Sequence, residues 1–148
     1  MAKSRTRSAL KKILGKEYMK VKLSFLWIFA MLNYAYADII TLMDSEALSE
    51  LMTGVVGGMH VTQGFLFWGA VLMEIPIAMI LLSLFLQYKW NRRANIFAGI
   101  IKTAAVGWSL SVGIPPLYYI FFATIEMITT IVIVWLAWTW PNPERRIA

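Results

Sequence analysis

Four ionisable residues stand inside long apolar runs of this sequence: Asp38, Glu74, Lys102 and Glu126. Side chains of these types can bind a proton, a cation or a charged ligand, and a carboxylic acid kept neutral by apolar surroundings can act as a general acid. A charge at the centre of a bilayer costs at least about 2.5–3.5 kcal/mol, so such residues turn towards protein and find partners. If the runs are membrane helices, these residues therefore predict a buried site.

The charges in these runs do not balance. Lys102 can offset one carboxylate but not three, so we expect at least one buried carboxyl to be protonated near neutrality or to hold a cation. Helix rise puts Glu74, Glu126 and Lys102 roughly 15–20 Å below the outer ends of their spans, and Asp38 about 8 Å below. The predicted proton-, cation- or ligand-binding residues are Asp38, Glu74, Lys102 and Glu126, with Asn33 and Tyr34 on the same helix as Asp38.

Aromatic residues near the predicted outer membrane face are candidates to line this site by cation–π contact. They are Phe67, Trp68, Tyr119 and Phe122, together with Tyr34. Pro76 follows Glu74 by two residues, and a proline inside a helix frees the carbonyl four residues before it, at position 72. That carbonyl is predicted to bind a cation or water, and the alternative is that Pro76 makes a kink that only shapes packing.

Composition excludes several other kinds of site. The chain has no cysteine and one histidine, so a thiolate metal site, a bis-histidine haem and a multi-histidine metal site are ruled out, and we predict neither a metal nor a cofactor. Apolar residues make up 59% and charged residues 15%. This composition predicts a membrane protein.

Four apolar runs are long enough to cross a bilayer, at about residues 23–43, 61–86, 94–114 and 117–140. Basic residues precede residue 23, fill the loop after the second run (Lys89, Arg92 and Arg93) and follow the fourth run, whereas the other two loops have none. The positive-inside rule then puts both termini in the cytoplasm. The sequence predicts an all-α integral protein of the plasma membrane, a four-transmembrane-helix bundle with a basic cytoplasmic segment at 1–22, a transmembrane domain at 23–140 and a cytoplasmic tail at 141–148.

The first run raises a question of processing, because Ala35-Tyr36-Ala37 has the small-x-small form of a signal-peptidase site. A signal peptide has a short basic start, an apolar core of about 7–15 residues and then a polar mature region. Here the basic start is long, and the apolar run continues to Met43. We therefore predict a retained helix.

The loop between the first two spans is predicted to form a short amphipathic helix on the outer membrane surface. Asp44 is a suitable N-cap and Gly54 a suitable C-terminal residue. Leu48, Leu51 and Met52 share one face. Gly57-Gly58 then lets the chain turn into the second span.

Small residues recur every four positions in the third span, at Gly99, Thr103, Gly107 and Ser111. This stripe favours close helix packing, either within the bundle or in a homo-oligomer. The neighbouring stripe contains Lys102, which is therefore predicted to face protein. The predicted partners are the lipid bilayer, with anionic lipid headgroups at the basic N-terminal segment, and a second copy of the chain. No nucleic acid is predicted, because nothing in the sequence would bind bases.

Five segments carry a resemblance to a known family: LSFLWIFAMLNYAYADIITLMD, EIPIAMILLS, NRRANIFAG, YYIFFATIE and WLAWTWPNPE. Together they resemble a family of small prokaryotic four-helix membrane proteins classed as a domain of unknown function. The resemblance covers about residues 23–144 and leaves residues 1–22 outside. More distantly, the architecture is similar to that of DoxX-like four-helix proteins. The resemblance implies the four-span fold and no activity.

Three functions remain open from the sequence. The first is proton- or cation-coupled transport or channel activity at the acidic site, and the second is an intramembrane enzyme that modifies lipids or isoprenoids with paired carboxyls. The third is a non-catalytic subunit or scaffold of a membrane complex. The first is the preferred hypothesis.

Overall fold

A computed structural model describes the backbone of residues 2–142 and the side chains of residues 15 and 17–142. The basic side chains before Glu17, and residues 143–148 of the predicted tail, lie outside the described residues. The described part is all-α apart from one small hairpin. Its elements are α1 (Ala2–Thr41), α2 (Ser45–Thr53), β1 (Val55–Val56), β2 (Met59–His60), α3 (Gln63–Phe85), α4 (Tyr88–Ser109) and α5 (Leu117–Thr139).

Three helical segments are long and apolar enough to cross a membrane: Glu17–Thr41 within α1, Gln63–Phe85 and Leu117–Thr139. The all-α fold is thus confirmed, and its apolar helices indicate a membrane protein. α4 does not qualify, since every stretch of 18 residues in it contains at least three of its four basic residues, Lys89, Arg92, Arg93 and Lys102. It also ends at Ser109, five residues before the predicted end of the third apolar run at about residue 114.

α1 is one continuous helix of 40 residues. At about 1.5 Å per residue it is roughly 60 Å long, twice the hydrocarbon thickness of a bilayer. The predicted boundary at residue 22 is therefore not a break in the helix. Lysine, arginine, alanine and leucine are good helix formers, and they carry the helix from the basic segment into the apolar one.

The four long helices form a closed ring in which α1 packs against α3 and α5, and α4 packs against the same two helices. The short connections from α3 to α4 and from α4 to α5 make each of these two pairs antiparallel. We call the end of the bundle at the α3–α4 connection, with Lys89, Arg92 and Arg93, the basic end. The opposite end, which carries α2, β1 and β2, is the hairpin end.

Gly99 sets how closely α4 approaches α5. A Cβ atom at this position would lie 2.5 Å from Val134 Cγ2 and 3.3 Å from the Thr130 carbonyl oxygen. One turn along, the hydroxyls of Thr103 and Thr130 lie 2.7 Å apart and share a hydrogen bond. At Gly107 an added Cβ would meet nothing within 4 Å. The predicted small-residue stripe thus makes its tightest contact at Gly99.

A buried polar network holds α1, α3 and α4 together near the basic end. Trp27 Nε1 donates to Asn95 Oδ1 at 2.7 Å, and Asn95 Nδ2 donates to Asn91 Oδ1 at 2.7 Å. Asn91 Nδ2 donates to the Ser83 carbonyl at 2.6 Å, and Ser83 Oγ donates to Asn95 Oδ1 at 3.3 Å. All four side chains are fully buried. Because these polar groups have partners, they join the helices without the penalty of unpaired buried groups.

The predicted caps of α2 are present. Asp44 accepts hydrogen bonds from the backbone amides of Glu46 and Ala47, and Gly54 ends the helix in the left-handed conformation at φ 73°. Tyr118 Oη donates to Asp44 Oδ2 at 3.2 Å, which ties the start of α2 to α5.

The predicted turn at Gly57-Gly58 is the tip of a β-hairpin that the sequence did not indicate. Both glycines have positive φ, 55° and 80°. Two positive φ values in succession suit a two-residue hairpin turn and favour glycine at both positions. Glu50 Oε2 accepts a hydrogen bond from the Gly57 amide at 3.0 Å, which joins the hairpin to α2.

Candidate functional site

Lys102 of α4 is buried between three helices, with 3% of its surface exposed. Its Nζ lies 3.9 Å from the centre of the Tyr34 ring on α1. The same atom donates to the Leu72 carbonyl on α3 at 3.4 Å and lies 3.8 Å from Met73 Sδ. The ammonium group therefore has a cation–π contact on one side and backbone and thioether acceptors on the other.

Pro76 explains why the Leu72 carbonyl can accept this hydrogen bond. A proline has no amide hydrogen, so the carbonyl four residues earlier lacks its usual helical donor. Pro76 lies inside α3, and the helix continues past it to Phe85. The carbonyl predicted to be freed at position 72 thus contacts a cation, and that cation is the side chain of Lys102.

Glu126 of α5 is also buried, with 5% of its surface exposed. Within the described part of the chain, Glu126 Oε1 and Tyr34 Oη are buried atoms with no hydrogen-bond partner. The charge of Glu126 acts on Lys102, but no described carboxylate makes a direct ion pair with the ammonium group. An unsatisfied buried polar group costs about 1–3 kcal/mol, so a proton, water or ion that partners Glu126 would stabilise this arrangement.

Asp38 and Tyr119 extend this site towards the hairpin end. Asp38 is exposed on α1, one turn beyond Tyr34, and its charge also acts on Lys102. Tyr119 Oη donates to Ser109 Oγ at 2.9 Å, and the charges of Glu126 and Asp38 both act on it. We name the five side chains Tyr34, Asp38, Lys102, Tyr119 and Glu126 the Lys102 cluster. It brings together residues from α1, α4 and α5 and connects a buried acid–base pair with an exposed carboxylate.

The other predicted site residues lie elsewhere. Glu74 is exposed near the middle of α3. Phe67 and Trp68 are 62% and 65% exposed and pack edge-to-face on each other. Asn33 donates to the Phe29 carbonyl on its own helix at 2.9 Å. Phe122 is half-buried and packs edge-to-face on Phe121. Of the two predicted membrane glutamates, only Glu126 therefore belongs to the Lys102 cluster.

Sequence reasoning predicted the freed carbonyl at position 72 but not its contact with Lys102, and it missed Met73 Sδ. The contact could have been inferred, since Pro76 marked the carbonyl and Lys102 was predicted to face protein. Met73 gave no such signal, because a thioether in an apolar run is typical of packing. Among the described residues, no group of three or more histidine, aspartate or glutamate side chains could hold a metal ion.

Comparison with known proteins gives a family without an activity. The family of unknown function DUF6326 matches residues 11–146. The match begins at residue 11, so the prediction that all of residues 1–22 lie outside the family is wrong. No curated protein and no solved structure matches the chain. The distant similarity to DoxX-like proteins stays a prediction. Because the match covers nearly the whole chain, including α2 to α5 and most of α1, the chain belongs to the family of unknown function DUF6326.

Proposed function

We propose that the chain is a four-span membrane protein with both termini in the cytoplasm. α4 packs in the same ring as the three apolar helices, and Lys102, its one charge beyond the first two turns, is buried. The basic end carries Lys89, Arg92 and Arg93, whereas the loop at the hairpin end contains acidic residues and no lysine or arginine. This asymmetry is typical of a cytoplasmic basic end.

We infer that the Lys102 cluster binds and releases a proton and that the protein uses this exchange in transport. The observation that supports this most strongly is the pair of buried, unpartnered atoms, Glu126 Oε1 and Tyr34 Oη, beside a buried ammonium group. The carboxyl of Glu126 interacts strongly with Lys102 when it is ionised, and only weakly when it is protonated and neutral. Protonation therefore changes how firmly α5 is held against α4.

A proton fits the charge and packing of the cluster better than a larger ligand does. The cluster has two carboxyls, Glu126 and Asp38, and one ammonium group. When both carboxyls are ionised, one added proton brings the net charge of these three groups to zero. A metal cation would be repelled by the Lys102 ammonium at close range. Tyr34, Lys102 and Glu126 are only 6%, 3% and 5% exposed, so they are closely packed by protein.

Proton movement into proteoliposomes tests this function directly. Vesicles that contain the purified protein and a pH-sensitive dye receive a potassium diffusion potential, and the initial rate of internal acidification is measured. Glu126→Gln keeps the shape of the side chain but cannot lose a proton, so we expect its rate to fall at least about tenfold. Glu46→Gln, an exposed carboxyl on α2, is the matched control and should keep the wild-type rate. No protein-dependent acidification, or equal rates for Glu126→Gln and the wild type, would reject the proposal.

One observation favours the alternative role as a subunit of a membrane complex. Glu74 is an exposed carboxyl near the middle of an otherwise apolar helix, where a lone chain would present it to lipid. Native mass spectrometry of Glu74→Gln, combined with the acidification assay of Glu126→Gln, separates the two roles. If Glu74→Gln dissociates an assembly seen by native mass spectrometry and Glu126→Gln leaves acidification unchanged, the subunit role is favoured. The enzyme alternative gains no comparable support, because Glu74 is exposed whereas Glu126 is buried.

A further inference from the structure

A basic pocket of about 280 Å³ lies at the basic end of the bundle. Its lining consists of Tyr88, Lys89, Arg92, Arg93, Ile96 and Asn142. Three of these residues are basic, and no carboxylate from the described residues lines the pocket. The pocket is thus suited to an anionic group.

Arg92 fixes one wall of this pocket. Its Nε donates to the Ala137 carbonyl at 3.1 Å and one Nη donates to the Trp138 carbonyl at 2.9 Å. These bonds satisfy carbonyls at the C-terminal end of α5, which have no helical donors. The guanidinium carbon also lies 5.9 Å from the centre of the Trp138 ring. Arg92 therefore joins α4 to α5 at the level of the pocket and holds its positive charge there.

A groove of about 520 Å³ runs between α4 and α5 on the outside of the bundle. Ile100 and Ala104 of α4 line one side, and Ile131, Trp135 and Trp138 of α5 line the other. Thr103 also borders the groove, but its hydroxyl is hydrogen-bonded to the Gly99 carbonyl at 2.8 Å. The groove consequently offers an apolar surface.

The pocket and the groove follow one face of α4. Lys89, Arg93, Ile96, Ile100 and Ala104 are spaced three or four residues apart, which keeps them on one side of a helix. The face is basic in its first two turns and apolar beyond them. From Ile96 to Ala104 the axial distance is about 12 Å, close to the thickness of one leaflet of a hydrocarbon core about 30 Å thick.

We propose that this face binds a phospholipid with an anionic headgroup, with the headgroup phosphate in the basic pocket and an acyl chain along the apolar groove. Basic pockets beside membrane helices on the cytoplasmic side favour anionic headgroups, and the groove supplies the matching surface for a chain. A second copy of the protein is a poorer occupant, because two basic ends at the same level repel. The proposal rests on the four-span arrangement but not on proton transport.

Native mass spectrometry of the detergent-solubilised protein tests the site. Phosphatidylglycerol and phosphatidylcholine with identical acyl chains are titrated separately, and the apparent Kd of the first bound lipid is measured. We expect the wild type to bind the anionic lipid at least about tenfold more tightly, since each basic group near the headgroup contributes. Equal affinity for the two lipids would overturn the proposal.

The decisive variant is Lys89→Gln/Arg93→Gln, which removes two exposed charges from the pocket and should reduce the preference to within about twofold. Lys20→Gln/Lys22→Gln removes the same charge from the basic N-terminal segment, which attracts anionic lipids only in a general way, so it should reduce the preference much less. Equal losses in both variants would show a general charge effect and contradict a built site. Lys89→Arg/Arg93→Lys retains both charges and should retain the preference. If it too loses the preference, charge complementarity is not the basis of binding.

Two further binding measurements distinguish a bound lipid from a simple anion. Ala104→Phe fills the apolar groove without changing charge, so it should weaken binding of phosphatidylglycerol several-fold. Glycerol phosphate, which has the headgroup chemistry but no acyl chain, should bind far more weakly than the intact lipid. Binding of glycerol phosphate as tight as that of the lipid, or an unchanged Kd in Ala104→Phe, would rule out the acyl-chain groove.

Discussion

At the scale of single residues, Lys102 and Tyr34 show how a charge is kept inside an apolar bundle. The ring of Tyr34 faces the ammonium group and the freed carbonyl of Leu72 accepts a hydrogen bond from it, so Lys102 is stabilised without a direct carboxylate partner. This leaves Glu126 available for an exchangeable partner. The hydroxyl of Tyr34 takes no part in holding Lys102, since its oxygen has no hydrogen-bond partner among the described residues.

Tyr34→Phe is therefore expected to raise the free energy of unfolding by about 1 kcal/mol, because it removes a buried unpaired hydroxyl and keeps the ring that contacts Lys102. Thermal unfolding in detergent would measure the change. Tyr36→Phe, two residues away with its side chain 58% exposed, is the control and should not change stability. A loss of stability in Tyr34→Phe relative to Tyr36→Phe would mean that the hydroxyl has a bound partner.

At the scale of elements, the contact between α4 and α5 determines the distance between Lys102 and Glu126. Gly99 allows this contact, one turn before Lys102 on α4. The Thr103–Thr130 hydrogen bond then holds the two helices at that separation. Packing at a glycine thus positions an acid and a base that lie on different helices.

Gly99→Ala should destabilise the protein by about 1–3 kcal/mol, because the added methyl group would overlap Val134 Cγ2. Gly107→Ala, in the same helix but in open space, should be neutral or stabilising by up to about 1 kcal/mol. Chemical unfolding of both variants in micelles would compare them. Adding Val134→Ala to Gly99→Ala should recover part of the loss, and a failure to recover any of it would contradict overlap as the cause.

At the scale of the whole molecule, the question is whether α4 crosses the membrane with its neighbours. Its apolar portion is short because the helix begins with basic turns and ends at Ser109. Burial in the ring compensates for this, since Lys102 contacts protein on the inside of the bundle. A crossing α4 puts the loop around Ile114 on the same side as α2.

The absence of native cysteine allows this topology to be tested with single substitutions. Ser49→Cys on α2 and Ile114→Cys, at a side chain that is 99% exposed, should react with a membrane-impermeant thiol reagent on intact cells. Gln87→Cys, between α3 and α4, should react only after permeabilisation. If Ile114→Cys also requires permeabilisation, α4 does not cross and the four-span proposal is wrong.

Much of the fold could be predicted from the sequence because its signals are local. The caps at Asp44 and Gly54, the uninterrupted helix through Ala35–Ala37 and the carbonyl freed by Pro76 all follow from nearby residues. The inward direction of Lys102 followed from the small residues beside it. The hairpin at 55–60 was missed because two residues per strand are too few for an alternating pattern.

The composition of the site could be predicted only in part, because depth along a helix does not determine direction around it. Glu74 and Glu126 were assigned similar depths, yet only Glu126 faces the bundle. Almost every position of α3 is apolar, so its sequence does not distinguish a buried face from an exposed one. The Asn91–Asn95 network was missed for another reason: polar residues next to a basic turn also suit the membrane interface.

Because of that network, we expect the bundle to be stiffer near the basic end than around the Lys102 cluster. Near the basic end every member of a fully buried polar set has a partner, whereas in the Lys102 cluster, nearer the middle of the helices, Glu126 and Tyr34 have atoms without one. Water that reaches Lys102 is therefore expected to enter from the hairpin end, past the exposed Asp38. Passage on to the basic end would require the hydrogen bonds of Asn91 and Asn95 to break. We expect that opening to be the slowest step in the movement of protons across the bundle.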